Sequence, residues 1–136
     1  MKTTYIVRAY RTAVGKASRG LFRFKRPDEL AAETIEHMMS TLDDFDVNVI
    51  DDVLIGNAMP EAEQGLNMAR LISLMGLKTI EVPGVTVNRY CASGIETIAM
   101  GNAKIQSGMA ECIIAGGVES MSYIPMGGYK PAPDSV

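Results

Sequence analysis

The apolar positions of this chain change period several times, and each change predicts an element. Residues 4–9 (Thr4, Tyr5, Ile6, Val7, Arg8, Ala9) form a β-branched and aromatic run that predicts a first strand. After a basic, glycine-bearing loop, Pro27 suits the first turn of a helix, and Asp28 and Glu29 complement its N-terminus. Within that helix Ala31, Ile35, Met38 and Leu42 recur at spacings of four, three and four, one stripe for burial. Residues 52–57 predict a second strand, residues 66–75 a second helix closed by Gly76 at C′, and residues 85–87 a third strand. The helix that follows, to about Ser107, is apolar or small nearly all round (Ile95, Ile98, Ala99, Met100, Gly101, Ala103, Ile105), which predicts a central helix packed on several sides. Residues 112–116 form a strand without polar alternation, the pattern of a parallel strand covered on both faces, so Cys112 belongs to the core.

Strands alternating with helices give an α/β fold in layers with right-handed crossovers. No GxGxxG follows the first strand, and Gly15-Lys16 lacks the upstream glycine of a P-loop, so the nucleotide-binding versions of that fold lose their main support. From Glu119 onward the periodicity dissolves around Pro125, Gly127, Gly128, Pro131 and Pro133. This divides the chain into an α/β body over 1–118 and a stretch over 119–136 that begins a loop excursion.

At 136 residues and 47% hydrophobic content the chain can bury a core of its own. Two cysteines, no secretory apolar segment and no span long enough for a bilayer point to a reducing, cytoplasmic setting without membrane insertion. With no CxxC, no HxxxH and a single histidine, a metal site built by the protein is not expected. His37 lies off the helical stripe and reads as a solvent-side residue. Net charge is −3, but every charge from Lys2 to Arg26 is positive and every charge from Asp28 to Glu63 negative. The basic head reads first as a solvated surface loop; a phosphate-binding loop or a subunit contact are the alternatives, and nothing else in the chain supports nucleic acid.

Cys91 is the candidate with chemistry. It sits where the run 85–87 ends in a turn that leads straight into a helix, and helix-entry amides and the macrodipole stabilise negative charge on a sulfur placed there. Ser93 and Glu96 have the S-x-x-E spacing of a capping box, which predicts the helix start within a residue or two of Cys91. Gly94 removes a side chain from the entry and would let a substrate carbonyl approach the backbone amides. Local physics leaves two roles open, a nucleophile or one more buried apolar residue.

Four stretches taken together resemble the thiolase family, in its order and spacing: residues 11–16 (Arg11, Thr12, Ala13, Val14, Gly15, Lys16), 65–70 (Gly65 to Arg70), 87–94 (Val87, Asn88, Arg89, Tyr90, Cys91, Ala92, Ser93, Gly94) and 115–122 (Ala115 to Ser122). The resemblance implies a layered αβα fold, of which this chain would form an N-terminal half-domain with a mostly parallel mixed sheet. It also implies thiolytic cleavage of 3-ketoacyl-CoA to acetyl-CoA and a shortened acyl-CoA. Cys91 would carry the acyl group as a thioester with its backbone amide in the oxyanion hole, and Asn88, Arg89, Ser93 and Gly94 would shape the turn. CoA and acyl-CoA would be substrates, with no permanently bound cofactor and no cofactor-binding residues assignable, and the assembly would be a homodimer or homotetramer.

The same resemblance calls for histidines and a second reactive cysteine that have no counterpart here, and His37 matches neither histidine role. The chain alone is therefore expected to be catalytically incompetent. Residues 126–131 lean toward the degradative kind of thiolase over the biosynthetic acetoacetyl-CoA kind. A non-catalytic oligomerisation module on the same fold is the alternative from another class.

Overall fold

A computed structural model describes residues 2–130 and 132. Its regular elements are α1 (Pro27–Met39), β1 (Asp52–Gly56), α2 (Met68–Leu77), β2 (Gly84–Val87), α3 (Ser93–Ser107) and β3 (Ile113–Gly117), with 3-10 turns at Leu21–Phe24, Val47–Val49 and Ala62–Gln64. The three strands are parallel in the order β2-β1-β3, with Leu54 of β1 beside Val85 and Ala115.

Strand alternation sorts the layers. Val53 and Ile55 of β1 join Ile35 of α1, Met68 and Ile72 of α2 and Val82 in one core cluster. Leu54 turns to the other face with Ile113 and Ala115, where all three lie near Gly101 of α3. The helices α1 and α2 therefore form one layer, the sheet the second and α3 the third. All five residues of β1 are buried, as a central parallel strand requires.

Pro27 opens α1 as its composition predicts, and the buried Asp28 accepts from the Arg26 guanidinium at 2.8 and 3.1 Å. Several expectations are corrected. Residues 4–9 form no strand: Tyr5, Ile6 and Val7 are exposed, because β-propensity yields a strand only beside a partner and none among the described residues flanks them. The buried face of α1 centres on Ala32 and Ile35, and Leu42 falls beyond the helix end. The second helix runs through Gly76 to Leu77 and is capped by Lys78, which adopts the left-handed conformation (φ 56°). Gly76 instead allows close helix packing, since a Cβ there would lie 3.0 Å from the Ala32 carbonyl oxygen. The third helix buries one face only, through Ser93, Thr97 and Gly101, and leaves Ile95 and Ile98 in solvent. The last strand is half-buried, with β1 its one neighbour among the described residues.

Beyond β3 the chain turns back onto the basic loop. Ile124 is fully buried, the Ser18 N–H donates to Ser122 Oγ (2.9 Å) and Tyr123 Oη donates to the Phe24 carbonyl (2.9 Å). Pro131 and Pro133 lie outside the described residues.

Candidate functional site

The carboxyl ends of parallel strands are where open α/β sheets place ligands, and the start of α3 rests directly on them. A Cβ on Gly56, the last residue of β1, would fall 2.4 Å from the Ser93 carbonyl carbon and 2.6 Å from the Gly94 nitrogen. A Cβ on Gly94 would meet Gly117 Cα at 4.0 Å. Gly94 thus faces the sheet, where a side chain would make an ordinary van der Waals contact, and the tight approaches are those of Gly56 and Gly117, whose Cβ would fall 3.2 Å from Gly94 Cα. Thr97 Oγ1, buried one turn further on, lies within 2.9 Å of the Gly94 and Gly116 carbonyl oxygens and fastens the helix to β3.

Between β2 and α3 the chain passes through a tight turn. Tyr90 takes φ 49°, a left-handed conformation that costs a β-carbon-bearing residue roughly 1–2 kcal/mol and needs other bonds to hold it. Asn88 supplies one, accepting the Tyr90 N–H on Oδ1 (2.8 Å). Ser93 supplies two: its Oγ accepts the Arg89 N–H (2.8 Å) and donates to the Tyr90 carbonyl (2.5 Å). The expected capping box does not form, because Ser93 is the first residue of α3 and spends its hydroxyl on the turn, with Ala92 at the N-cap. Glu96 reaches back instead to the Arg89 guanidinium (3.3 Å).

Cys91 follows Tyr90 directly and is free and exposed. In the run 89–93 the amides of Arg89, Tyr90, Ala92 and Ser93 all donate within the turn. The Cys91 amide is the one in this run that donates to nothing among the described residues. A free sulfur and an uncommitted N–H thus share one residue at a helix entry, the pairing that acyl chemistry uses for attack and for steadying the oxyanion.

Cys112 has a different environment. It is half-buried against the core, and burial pushes its thiol up from the ordinary value, with the nearby Asp51 charge adding to the effect. The exposed His37 stacks edge-on against Tyr10, ring centroids 5.3 Å apart. It belongs to α1, across the sheet from the Cys91 turn. In the basic head, Lys25 pairs with Glu29 and Glu33, Arg26 with Asp28, and Arg23 lies over the Phe24 ring. Residues 12–17 and 117–122 face each other across a cleft of about 430 Å³.

Sequence reasoning does not reach the polar knot beside this site. At the end of β1 the fully buried Asn57 donates from Nδ2 to the Val118 carbonyl (2.9 Å) and to Glu119 Oε1 (3.1 Å). Buried Gln64 donates to the same carboxylate oxygen (2.7 Å), and the Ala58 N–H donates to Glu119 Oε2 (2.7 Å). Glu119 stands inside one of the motifs, and that was its only signal. Asn67 and Arg70, in another motif, donate to the carbonyls of Gly84, Val82 and Ile80 and so bind the start of α2 to the approach to β2.

The family profile described as "Thiolase, N-terminal domain" matches residues 4–133. The chain belongs to the thiolase family. A 3-ketoacyl-CoA thiolase of Bacillus subtilis (strain 168) is 46% identical over 134 residues, covering 98% of this chain and 34% of the relative. A 3-ketoacyl-CoA thiolase of Shewanella loihica is 37% identical over 126 residues, covering 93% of this chain and 33% of its own length. Among solved structures, the Bacillus anthracis acetyl-CoA acetyltransferase superposes with a TM-score of 0.70 at 30% identity, over 79% of this chain and 27% of that one. The chain therefore spans about a third of the length of the thiolases it matches. Among the described residues no helix is long and apolar enough to cross a membrane.

Proposed function

We propose that this chain supplies the nucleophile-bearing part of a 3-ketoacyl-CoA thiolase, with Cys91 as the acyl carrier. In this reading the Cys91 sulfur gives up its proton and bonds to the 3-keto carbon, the bond from that carbon to the acetyl-CoA portion breaks as the departing carbon takes up a proton, and the shortened acyl group leaves on the sulfur of a second CoA, whose thiol proton returns to Cys91. The observation that carries the reading is the exposed Cys91 beside its own uncommitted amide, held by the Asn88–Tyr90–Ser93 bonds at the entry to α3. The name of the 46%-identical relative supports the degradative substrate class. The name of the solved acetyltransferase favours the second reading, biosynthetic acetoacetyl-CoA chemistry. Association with further copies in a cytoplasmic setting belongs to the same proposal, and the apolar strip of Ile95 and Ile98 on α3 is the kind of surface that chain contacts cover.

Iodoacetamide alkylation, followed at each cysteine by mass spectrometry near neutral pH, tests the nucleophile. Cys91 is expected to react about tenfold faster in the folded chain than in the same chain unfolded in urea, while Cys112 is slowed by folding. A Cys91 that gains nothing from folding, or reacts no faster than Cys112, overturns the assignment.

A further inference from the structure

We infer that Glu119 is a positioning residue for the Cys91 turn, acting through Ala58 and Asn88; the inference deepens the proposed role of Cys91 and rests on it for its catalytic meaning. The carboxylate gathers three donors, the side-chain amides of Asn57 and Gln64 and the backbone N–H of Ala58. Asn57 and Gln64 are both buried, so their amides need that acceptor. Holding the Ala58 N–H fixes the peptide unit that follows Asn57, and the Ala58 carbonyl accepts from Asn88 Nδ2 (3.2 Å).

Asn88 thereby has both ends of its amide occupied. Nδ2 is anchored on the loop after β1, and Oδ1 holds the Tyr90 N–H (2.8 Å), which keeps Tyr90 left-handed immediately before Cys91. Glu119 lies just beyond β3, Ala58 beyond β1 and Asn88 beyond β2, so one hydrogen-bonded path ties the loops at the carboxyl ends of all three strands to the nucleophile's turn. An exposed Asn on a strained turn would otherwise be free to choose another rotamer. A carboxylate suits the far end of the path because both oxygens accept, whereas an amide would turn an NH2 against one set of donors.

Amide hydrogen exchange followed by NMR, together with the alkylation rate of Cys91, tests this in the 136-residue chain and its Glu119→Gln variant. The variant is expected to lose protection at Ala58 and at Tyr90 together and to lower the Cys91 alkylation rate about tenfold, with Cys112 unchanged. Loss at Ala58 with Tyr90 and Cys91 unaltered overturns the inference, since a purely structural Glu119 gives that pattern. Should Glu119→Gln fail to fold, Asn88→Ala cuts the path at an exposed position. It is expected to release the Tyr90 amide while Ala58 stays protected, and an unchanged Tyr90 overturns the path. If Tyr90 responds to Glu119 while wild-type Cys91 reacts no faster folded than unfolded, the positioning stands and the acyl-carrier reading falls.

Discussion

Tyr90 and Gly56 constrain Cys91 from opposite sides, one by an unusual dihedral and the other by an absent side chain. Tyr90 is mostly exposed, so its side chain contributes little burial, and its left-handed backbone persists because Asn88 and Ser93 bond its N–H and C=O. Gly56 leaves no slack: a methyl group there would overlap backbone atoms of Ser93 and Gly94, which cannot swing aside as a side-chain tip can. Gly56→Ala is expected to destabilise the chain by about 3 kcal/mol, read as a lower urea midpoint, and to slow Cys91 alkylation as α3 lifts from the sheet. An unchanged midpoint would count against the close packing described. At this scale the sequence was informative about Cys91, because a thiol at a strand-to-helix turn is a local pattern. It was silent on the partnership of Asn57 with Glu119, because 62 residues separate them and only the fold brings them together.

Among the elements, β1 organises the rest, and its entry depends on a charge. Asp51, just before β1, accepts the N–H groups of Glu111 (2.6 Å) and Cys112 (3.1 Å), just before β3. Those two bonds hold its carboxyl below the usual carboxylate value, with Lys104 and Lys2 adding to the effect. A lowered pKa stabilises the fold above the unfolded-chain value of about 3.9, and that stabilisation disappears as pH falls through the lower folded value. Asp51→Asn is therefore expected to be less stable than the parent at neutral pH, with the gap closing at an acid pH below the unfolded-chain value as the parent loses its carboxylate. Urea unfolding at both pH values checks this, and a gap that does not narrow refutes it. The elements most legible in the sequence, β1 and the start of α1, are those whose pattern is enforced locally by a continuous apolar run or a proline. Residues 4–9 have strand chemistry too, but a strand is a pairwise object, and composition does not reveal whether a neighbour is in place.

For the whole molecule, the three layers separate the one histidine from Cys91. His37 packs with Tyr10 on α1, and the sheet stands between that layer and α3. A base that takes the thiol proton must come within hydrogen-bond reach of it, directly or through one water. The 136-residue chain is accordingly expected to show no 3-ketoacyl-CoA thiolysis in a steady-state assay; turnover that Cys91→Ser abolishes would refute this. The layering also explains why the pattern of α3 misleads: its apolar residues mark two faces, and the sheet occupies one of them.

The contact of the start of α3 with the carboxyl ends of the strands is made by atoms that carry no net charge and bear no titratable proton. Backbone meets backbone at Gly56, Gly94 and Gly117, and repulsion between filled shells has no pH dependence and is not screened by salt. The Arg89–Glu96 pair at the margin of the turn does respond to ionic strength. The height of the Cys91 backbone above the sheet is thus set mechanically, and changes of buffer act on the rim of the site while its floor stays where the three glycines put it.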